Sequence, residues 1–276
     1  MEVIDIVIST WQRKDLTEKT LSFLHNRTKY PYRLFVVDNH STDGTLEVLE
    51  RFKKLGIVFL YVSLDRNVGI HMVKNIGLSL VESDLYVATD NDVYVPEVQP
   101  DWLSQQIDVM ERNPEFGAVA IMPHVFLGRS DPEVSEADKI KGVVEVGHCG
   151  GVWRIMRTKA VRDTGGWART FNAKRNNEEL HICSRLQTLG FKTGYNSTLR
   201  AYHEFGMDNN WGYGEDMHPH DHGHRIPGGS KWATDPEKAG EIWPTPLKFK
   251  EQEGQFDEFT WERKKNYGRR KFNPIR

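Results

Sequence analysis

The sequence predicts an α/β fold with a mostly parallel central sheet and helices on both faces. Three observations carry this expectation. Over the first 95 residues, β-rich apolar runs alternate with segments of helical periodicity. The connections between them are short and polar, as in right-handed β-α-β units. Residues 85–95, LYVATDNDVYV, form an apolar run that ends abruptly in Asp90-Asn91-Asp92 before alternation resumes at Val93 and Val95. Such a run reads as a strand buried on both faces. Its polar tip then lies at the carboxyl end, where open α/β sheets bind ligands.

Taken in order, residues 3–10, VIDIVIST, read as the first strand, with Asp5 as its one charge. A helix follows from Leu16, with Leu16, Thr20, Phe23 and Leu24 on one face. Residues 32–38, YRLFVVD, are the second strand. Residues 39–45 form a polar turn in which Ser41 or Asp43 can cap the helix of residues 46–55. Residues 57–62 are a third strand, 70–81 a helix, and 85–95 the fourth strand. Residues 102–113 read as a helix, 118–122 as a strand, and the charged stretch 131–141 as a surface excursion. Residues 143–156 are strand-like around Gly150-Gly151. Residues 177–189 are helical, with Leu180, Cys183, Leu186 and Leu189 at helical spacing and Gly190 as the stop. Residues 191–202 supply a last strand ending at His203. Beyond residue 205 the composition shifts to Gly, His, Asp and Asn, and residues 262–276 carry seven Lys or Arg. This divides the chain into a domain at 1–205, with halves 1–95 and 96–205, and an extension at 206–276 that reads as a lid and basic tail.

Composition narrows the function. The 276 residues can bury a sizeable core, and 28% charged with 38% hydrophobic residues is ordinary for a soluble globular protein. A net charge of −2 argues against general attraction to nucleic acid or membranes. Two cysteines, Cys149 and Cys183, without a C-x-x-C pattern point to a reduced, cytoplasmic setting. The N-terminus lacks the features of a signal peptide. No stretch approaches the roughly 20 apolar residues of a spanning helix, so stable membrane insertion is not expected.

Two carboxylates one residue apart on a strand tip suit a hard divalent cation carrying phosphate oxygens. The alternative for Asp90 and Asp92 alone is a polar turn that caps the strand. The surrounding motifs favour the cation. Residues 36–45, VVDNHSTDGT, resemble a "VVDNxSxDGT" segment of family-2-type GT-A glycosyltransferases. Ile8-Ser9-Thr10-Trp11-Gln12-Arg13 is similar to their first-strand segment. Asn67-Val68-Gly69 with Asn75-Ile76-Gly77 resembles a paired N-x-G, and Asp90-Asn91-Asp92 falls where their D-x-D does. Gly150-Gly151, Gly165-Gly166-Trp167 and the 178–186 segment follow in the family's order. The resemblance covers residues 3–205.

It implies a GT-A, Rossmann-like fold and a metal-dependent transfer of sugar from a nucleotide sugar, UDP-linked by preference, to an acceptor hydroxyl with inversion. Thr10, Trp11, Arg13, Asp38, Asn67, Gly69, Lys74, Asp90 and Asn91 are then the donor-binding candidates. In this set Asp38 accepts from a base or ribose, and Arg13 and Lys74 offer cations to the diphosphate. Asp90, Asp92 and His203 are the candidate ligands for Mn²⁺ or Mg²⁺, and Gly150, Gly151 and Trp153 the acceptor-side candidates, with Trp167 and Trp211 as further aromatic surfaces. The family pattern has Glu-Asp where this chain has Glu178-Glu179. Counting back from Cys183, Arg185 and Leu186 puts Glu179 at the general-base position, with Glu178 as the other catalytic candidate.

His218, His220, His222 and His224, with Asp216 and Asp221, allow a second metal site, but a His-rich loop without an ion is the preferred reading. The basic end hints at a polyanion, although a solvated tail is the simpler account. A nucleotidyltransferase and a non-catalytic nucleotide-sugar-binding module are the competing functions. The absence of glycine from residues 9–15 disfavours the former and also a dinucleotide-dependent oxidoreductase. The acidic residues at 90, 92 and 179 disfavour the latter.

Overall fold

The computed structural model describes residues 2–123, 132–168 and 178–203. The chain runs β1 (Ile4–Thr10), α1 (Lys14–Arg27), β2 (Tyr32–Asp38), α2 (Thr45–Lys54), β3 (Leu60–Ser63), α3 (Ile70–Leu80), β4 (Leu85–Asp90) and β5 (Val93–Tyr94). It continues with α4 (Trp102–Arg112), β6 (Phe116–Pro123), α5 (Glu136–Lys141), β7 (Val143–Glu145), β8 (Arg154–Arg157), α6 (Thr158–Asp163), α7 (Glu178–Thr188) and β9 (Lys192–His203). The strands form one sheet in the order β3-β2-β1-β4-β8-β6-β9-β5, with β7 on β9.

The sheet is parallel from β3 through β2 and β1 to β4. Strand β8 enters antiparallel between β4 and β6, and β6 and β9 again run parallel. This is the α/β architecture expected from the alternation of periods.

Alternate residues of each strand feed two layers. Ile6, Ile8, Val36 and Val87 pack with Leu21 and Leu24 of α1, Leu49 of α2 and Ile107 of α4. Val7, Phe35, Val37 and Ala88 pack on the other face with Val73 and Ile76 of α3, Val161 of α6 and Ile182 of α7. Burying each such side chain contributes about 1.5–3 kcal/mol, and covering both faces explains why the strands lack polar alternation.

The registers align the carboxyl ends, with Thr10 beside Asp38, Asp38 beside Ser63 and Ser9 beside Asp90. Every chemically suggestive turn of the first half therefore opens on one edge.

Several local expectations change. The run at 85–95 is two strands: β4 stays in the parallel sheet, whereas β5 turns away to pair with the end of β9. The stretch 143–156 is also two strands, and Gly150-Gly151 lies in the loop between them. Strand β3 starts at Leu60 because the Ile57 and Val58 amides close the end of α2 by donating to the Phe52 carbonyl. On α7 the buried apolar face is Ile182, Cys183 and Leu186, while Leu180 and Leu189 are exposed. The His-rich segment, Trp211 and the basic tail lie outside the described residues.

Candidate active site

The site is assembled at the aligned strand ends, and its first part is the turn from β1 to α1. Gln12 and Arg13 both adopt left-handed backbone, with φ of 57° and 64°. Consecutive non-glycine residues there are uncommon and are held only by their surroundings. The Asn91 side-chain amide supplies that restraint by donating to Thr10 Oγ1 at 3.0 Å and Thr17 Oγ1 at 2.8 Å. Asn91 and Thr10 are thus buried struts beneath the turn. Trp11 is half-buried at its rim. The strained turn aims Arg13 at Asp92, with Nη1 2.8 Å from Oδ2.

The β2 end is a second support. Asp38 is fully buried, and Ser41 donates to it from both its backbone amide and its hydroxyl. Burial pushes the Asp38 carboxyl up to about 6, against the pull of the Ser41 bonds. Of the two sequence-read caps of α2, Asp43 reaches the helix's first amide and Ser41 does not. Ser41 is turned to Asp38, while Asp43 accepts from Thr45 and from the Lys14 amide, tying the starts of α2 and α1 together. Asn67 Oδ1 accepts from Asn39 Nδ2 and from the Gly69 amide. Gly69 has φ 86° and ψ 152°, a conformation essentially reserved for glycine, and it opens α3. Asp38, Asn67 and Gly69 thereby fix the two loops that border the β1–α1 turn.

The centre is a cluster of charges. Asp90, at the tip of β4, has its Oδ1 buried without a hydrogen-bond partner among the described residues, 3.7 Å from Lys74 Nζ. Asp92 Oδ2 also lies 3.4 Å from His203 Nε2. That proximity is a product of topology: β5 pairs with the end of β9, which sets His203 across from Val93. Burial works against the imidazolium, but the Asp92 carboxylate, with Asp90 and Glu179, outweighs it and holds His203 above its ordinary pKa.

Among the described residues no three His, Cys, Asp or Glu side chains are already gathered around one point tightly enough to hold a metal ion. The donor types of Asp90, Asp92 and His203 and the orphaned Asp90 oxygen nonetheless fit a divalent cation.

The two glutamates at the start of α7 face different neighbours. Glu178 is buried and Oε1 accepts from Lys74 Nζ at 3.0 Å. Lys74 is itself buried; desolvation works against its charge, yet Asp90, Glu178 and Glu179 raise its pKa overall. It neutralises a carboxylate cluster, where the sequence reading had it open to a diphosphate. The Glu179 side chain keeps 22% of its surface exposed, with Oε1 3.9 Å from both Lys74 Nζ and Arg154 Nη2. Burial pushes its carboxyl up to about 7, partly offset by Lys74 and Arg154.

Gly151 makes that position accessible, since a methyl group there would lie 1.9 Å from Glu179 Oε1. Gly150 donates its amide to the Tyr195 hydroxyl at 2.7 Å. Trp153 requires a correction. It is fully buried against Trp102 and donates to the Val93 carbonyl, so it packs the core and offers no face to an acceptor. Trp167 is likewise buried, between Lys74 and Arg154.

The sequence reading missed Arg154, Tyr195 and the contact between the buried Cys149 and Cys183, whose sulfurs lie 3.8 Å apart. Arg154 carried one signal, a lone charge within the apolar run Val152-Trp153-Arg154-Ile155-Met156.

This sheet edge, with carboxylates at the tip of the fourth strand and at the start of a late helix, defines an α/β protein whose polar site lies at the carboxyl ends of its parallel strands. Residues 5–200 match the model of glycosyl transferase family 2, and the chain belongs to that family. Among its relatives, the poly-beta-1,6-N-acetyl-D-glucosamine synthase of Staphylococcus epidermidis is 23% identical over 181 residues, which is 60% of this chain and 42% of that protein. The synthase of the same name from Staphylococcus aureus strain MSSA476 is 22% identical over 208 residues, 71% of this chain and 48% of that protein. The chain thus spans less than half the length of these curated relatives.

Two solved structures show the same GT-A fold. The mannosyltransferase PcManGT from Pyrobaculum calidifontis, in complex with GDP-Man and Mn²⁺, superposes with a TM-score of 0.58 at 18% identity, covering 72% of this chain and 56% of that one. S. aureus TarS 1-349 in complex with UDP-GlcNAc gives 0.56 at 18% identity, with 77% and 62% covered.

Proposed function

We propose that this chain transfers a sugar from a nucleoside diphosphate sugar to an acceptor hydroxyl, with inversion and with help from Mn²⁺ or Mg²⁺. The observation that carries the reading is Glu179, a partly exposed carboxylate set against Gly151 with its pKa pushed up to about 7. A base titrating near working pH takes a proton most effectively.

In the proposed reaction the acceptor hydroxyl loses its proton to Glu179 as its oxygen bonds to the anomeric carbon. The bond from that carbon to the diphosphate oxygen breaks on the opposite side, and the nucleoside diphosphate departs. Asp90, Asp92 and His203 would hold a divalent cation, which would supply Lewis-acid stabilisation to the departing diphosphate. Arg13, now paired with Asp92, stands within the same cluster to meet the diphosphate. Trp11 and the loops held by Asp38, Asn67 and Gly69 border the space for the nucleoside. A uridine donor is favoured; TarS is bound to UDP-GlcNAc and PcManGT to GDP-Man.

The test uses slow donor hydrolysis and transfer with a panel of nucleotide sugars, with Mn²⁺, Mg²⁺ or EDTA. Glu179→Gln should still bind donor and cation while transfer falls by roughly 10²-fold or more. Glu178→Gln should keep much more activity, because its neighbour on the helix start points about 100° away and Glu178 is occupied with Lys74. A Glu179→Gln variant with wild-type turnover would sink the assignment. Binding without turnover in the wild type would favour a sugar-nucleotide-binding module instead.

A further inference from the structure

Arg154 lies at the start of β8 with no surface exposed. One nitrogen, Nη1, donates to the Cys149 carbonyl at 3.0 Å and approaches Cys183 Sγ at 3.6 Å. The guanidinium carbon lies 4.9 Å from the centre of the Trp167 ring, which carries Lys74 Nζ at 4.8 Å as well. Asn75 fixes the Trp167 backbone by donating to its carbonyl and accepting from its amide, both at 2.8 Å. Nε and Nη2 of Arg154 have no hydrogen-bond partner among the described residues. Among the described residues the one carboxylate within ion-pair distance is Glu179, 3.9 Å from Nη2.

A buried guanidinium with two unfilled donor nitrogens is costly unless a counter-charge lies close by. Lys74 is satisfied by Glu178 at 3.0 Å, which leaves Glu179 as the carboxylate partner of Arg154 beside the Cys149 and Cys183 sulfurs. At 3.9 Å the pair attracts without a hydrogen bond, so the carboxylate lone pairs stay available to an acceptor hydroxyl. Cys149 adjoins Gly150-Gly151, and Cys183 lies one helical turn after Glu179. By touching both, Arg154 ties the loop that makes room for the carboxylate to the helix that carries it.

We propose that Arg154 is a positioning residue for transfer: it favours the ionised Glu179 carboxylate over its protonated form and aims it past Gly151 from beneath, without occupying its lone pairs. This rests on the reading of Glu179 as the base. The other groups facing Glu179 are Lys74 from α3, Asp90 from β4, Glu178 of its own helix, and Tyr195 and His203 from β9. Among these Lys74 is the only other fixed cation.

The test compares wild type with Arg154→Gln, Arg154→Met and Arg154→Lys over a range of pH, after donor binding has shown that each variant is folded. Neutral variants should leave donor affinity unchanged, lower kcat about fivefold at pH 7 and about tenfold further down the acid limb, and move that limb of the kcat profile up by about one unit. Activity should recover at high pH. The lysine ammonium, shorter in reach, should give a smaller shift in the same direction. A limb at or below the wild-type position in every variant that folds, lysine included, with rates depressed equally at all pH, would overturn the proposal and leave Arg154 a purely structural residue. If Glu179→Gln is itself active, the failure lies with the base assignment; if that variant is dead and the Arg154 limb does not move, it lies here alone.

Discussion

A single absent methyl group gives the Glu179 carboxylate its place. Gly151→Ala would set a carbon 1.9 Å from Oε1, and since Oε1 is the end of a flexible side chain, the side chain should swing away while the fold survives. The expected result is a kcat about tenfold or more lower with donor KM little changed, since the loss falls on an interaction made in the transition state. Unchanged kcat would show that the carboxylate works from another position. The same residue sets the pH dependence. With its pKa pushed up to about 7, Glu179 is protonated and idle below that pH, so kcat should rise about tenfold per unit on the acid side and level off above. Stability runs the other way. A carboxyl raised on folding contributes stability below its unfolded pKa and loses it as pH climbs towards 7. Thermal unfolding and initial rates across pH 5 to 9 would together read both trends.

Helix starts and strand ends do most of the positioning. Asp101 caps α4 by accepting from the Leu103 and Ser104 amides, and its other oxygen accepts from the Lys29 and Tyr30 amides just past α1. It is buried, and the helix it starts supplies Trp102 against Trp153. Asp101→Ala removes a cap worth about 1 kcal/mol and leaves further amides unpaired. A loss of about 2 kcal/mol or more in denaturant unfolding is expected, with donor binding retained in the folded fraction. A loss within about 0.5 kcal/mol would mean that water replaces the carboxylate. The β1–α1 turn works in the opposite sense: Gln12 and Arg13 hold left-handed backbone at a cost, and Asn91 keeps them there.

At the scale of the molecule, residues more than a hundred positions apart are brought to one point. Asp92 and His203 meet because β5 leaves the parallel sheet for the end of β9. An irregularity in the β6–β9 register, where Ala120 faces Tyr195 and Met122 faces Arg200, accompanies that reach. His203→Ala should therefore weaken Mn²⁺ binding on the order of tenfold or more, read by titration of the ion without substrate. Unaltered affinity would limit the cation to Asp90 and Asp92.

The sequence by itself determined the alternating α/β order, the polar strand ends and the identity of most site candidates. The first two follow from local period and residue type, which survive without knowledge of the fold; the candidates follow from the motif resemblance to family-2 glycosyltransferases. The break in the 85–95 run, the burial of Trp153 against Trp102, the occupation of Lys74 by Glu178 and the place of Arg154 under Glu179 were decided only by tertiary structure. Each depends on which distant strand or helix lies alongside. Apolar alternation looks the same whether a segment continues one strand or starts another, and a lysine or tryptophan does not encode what it will face.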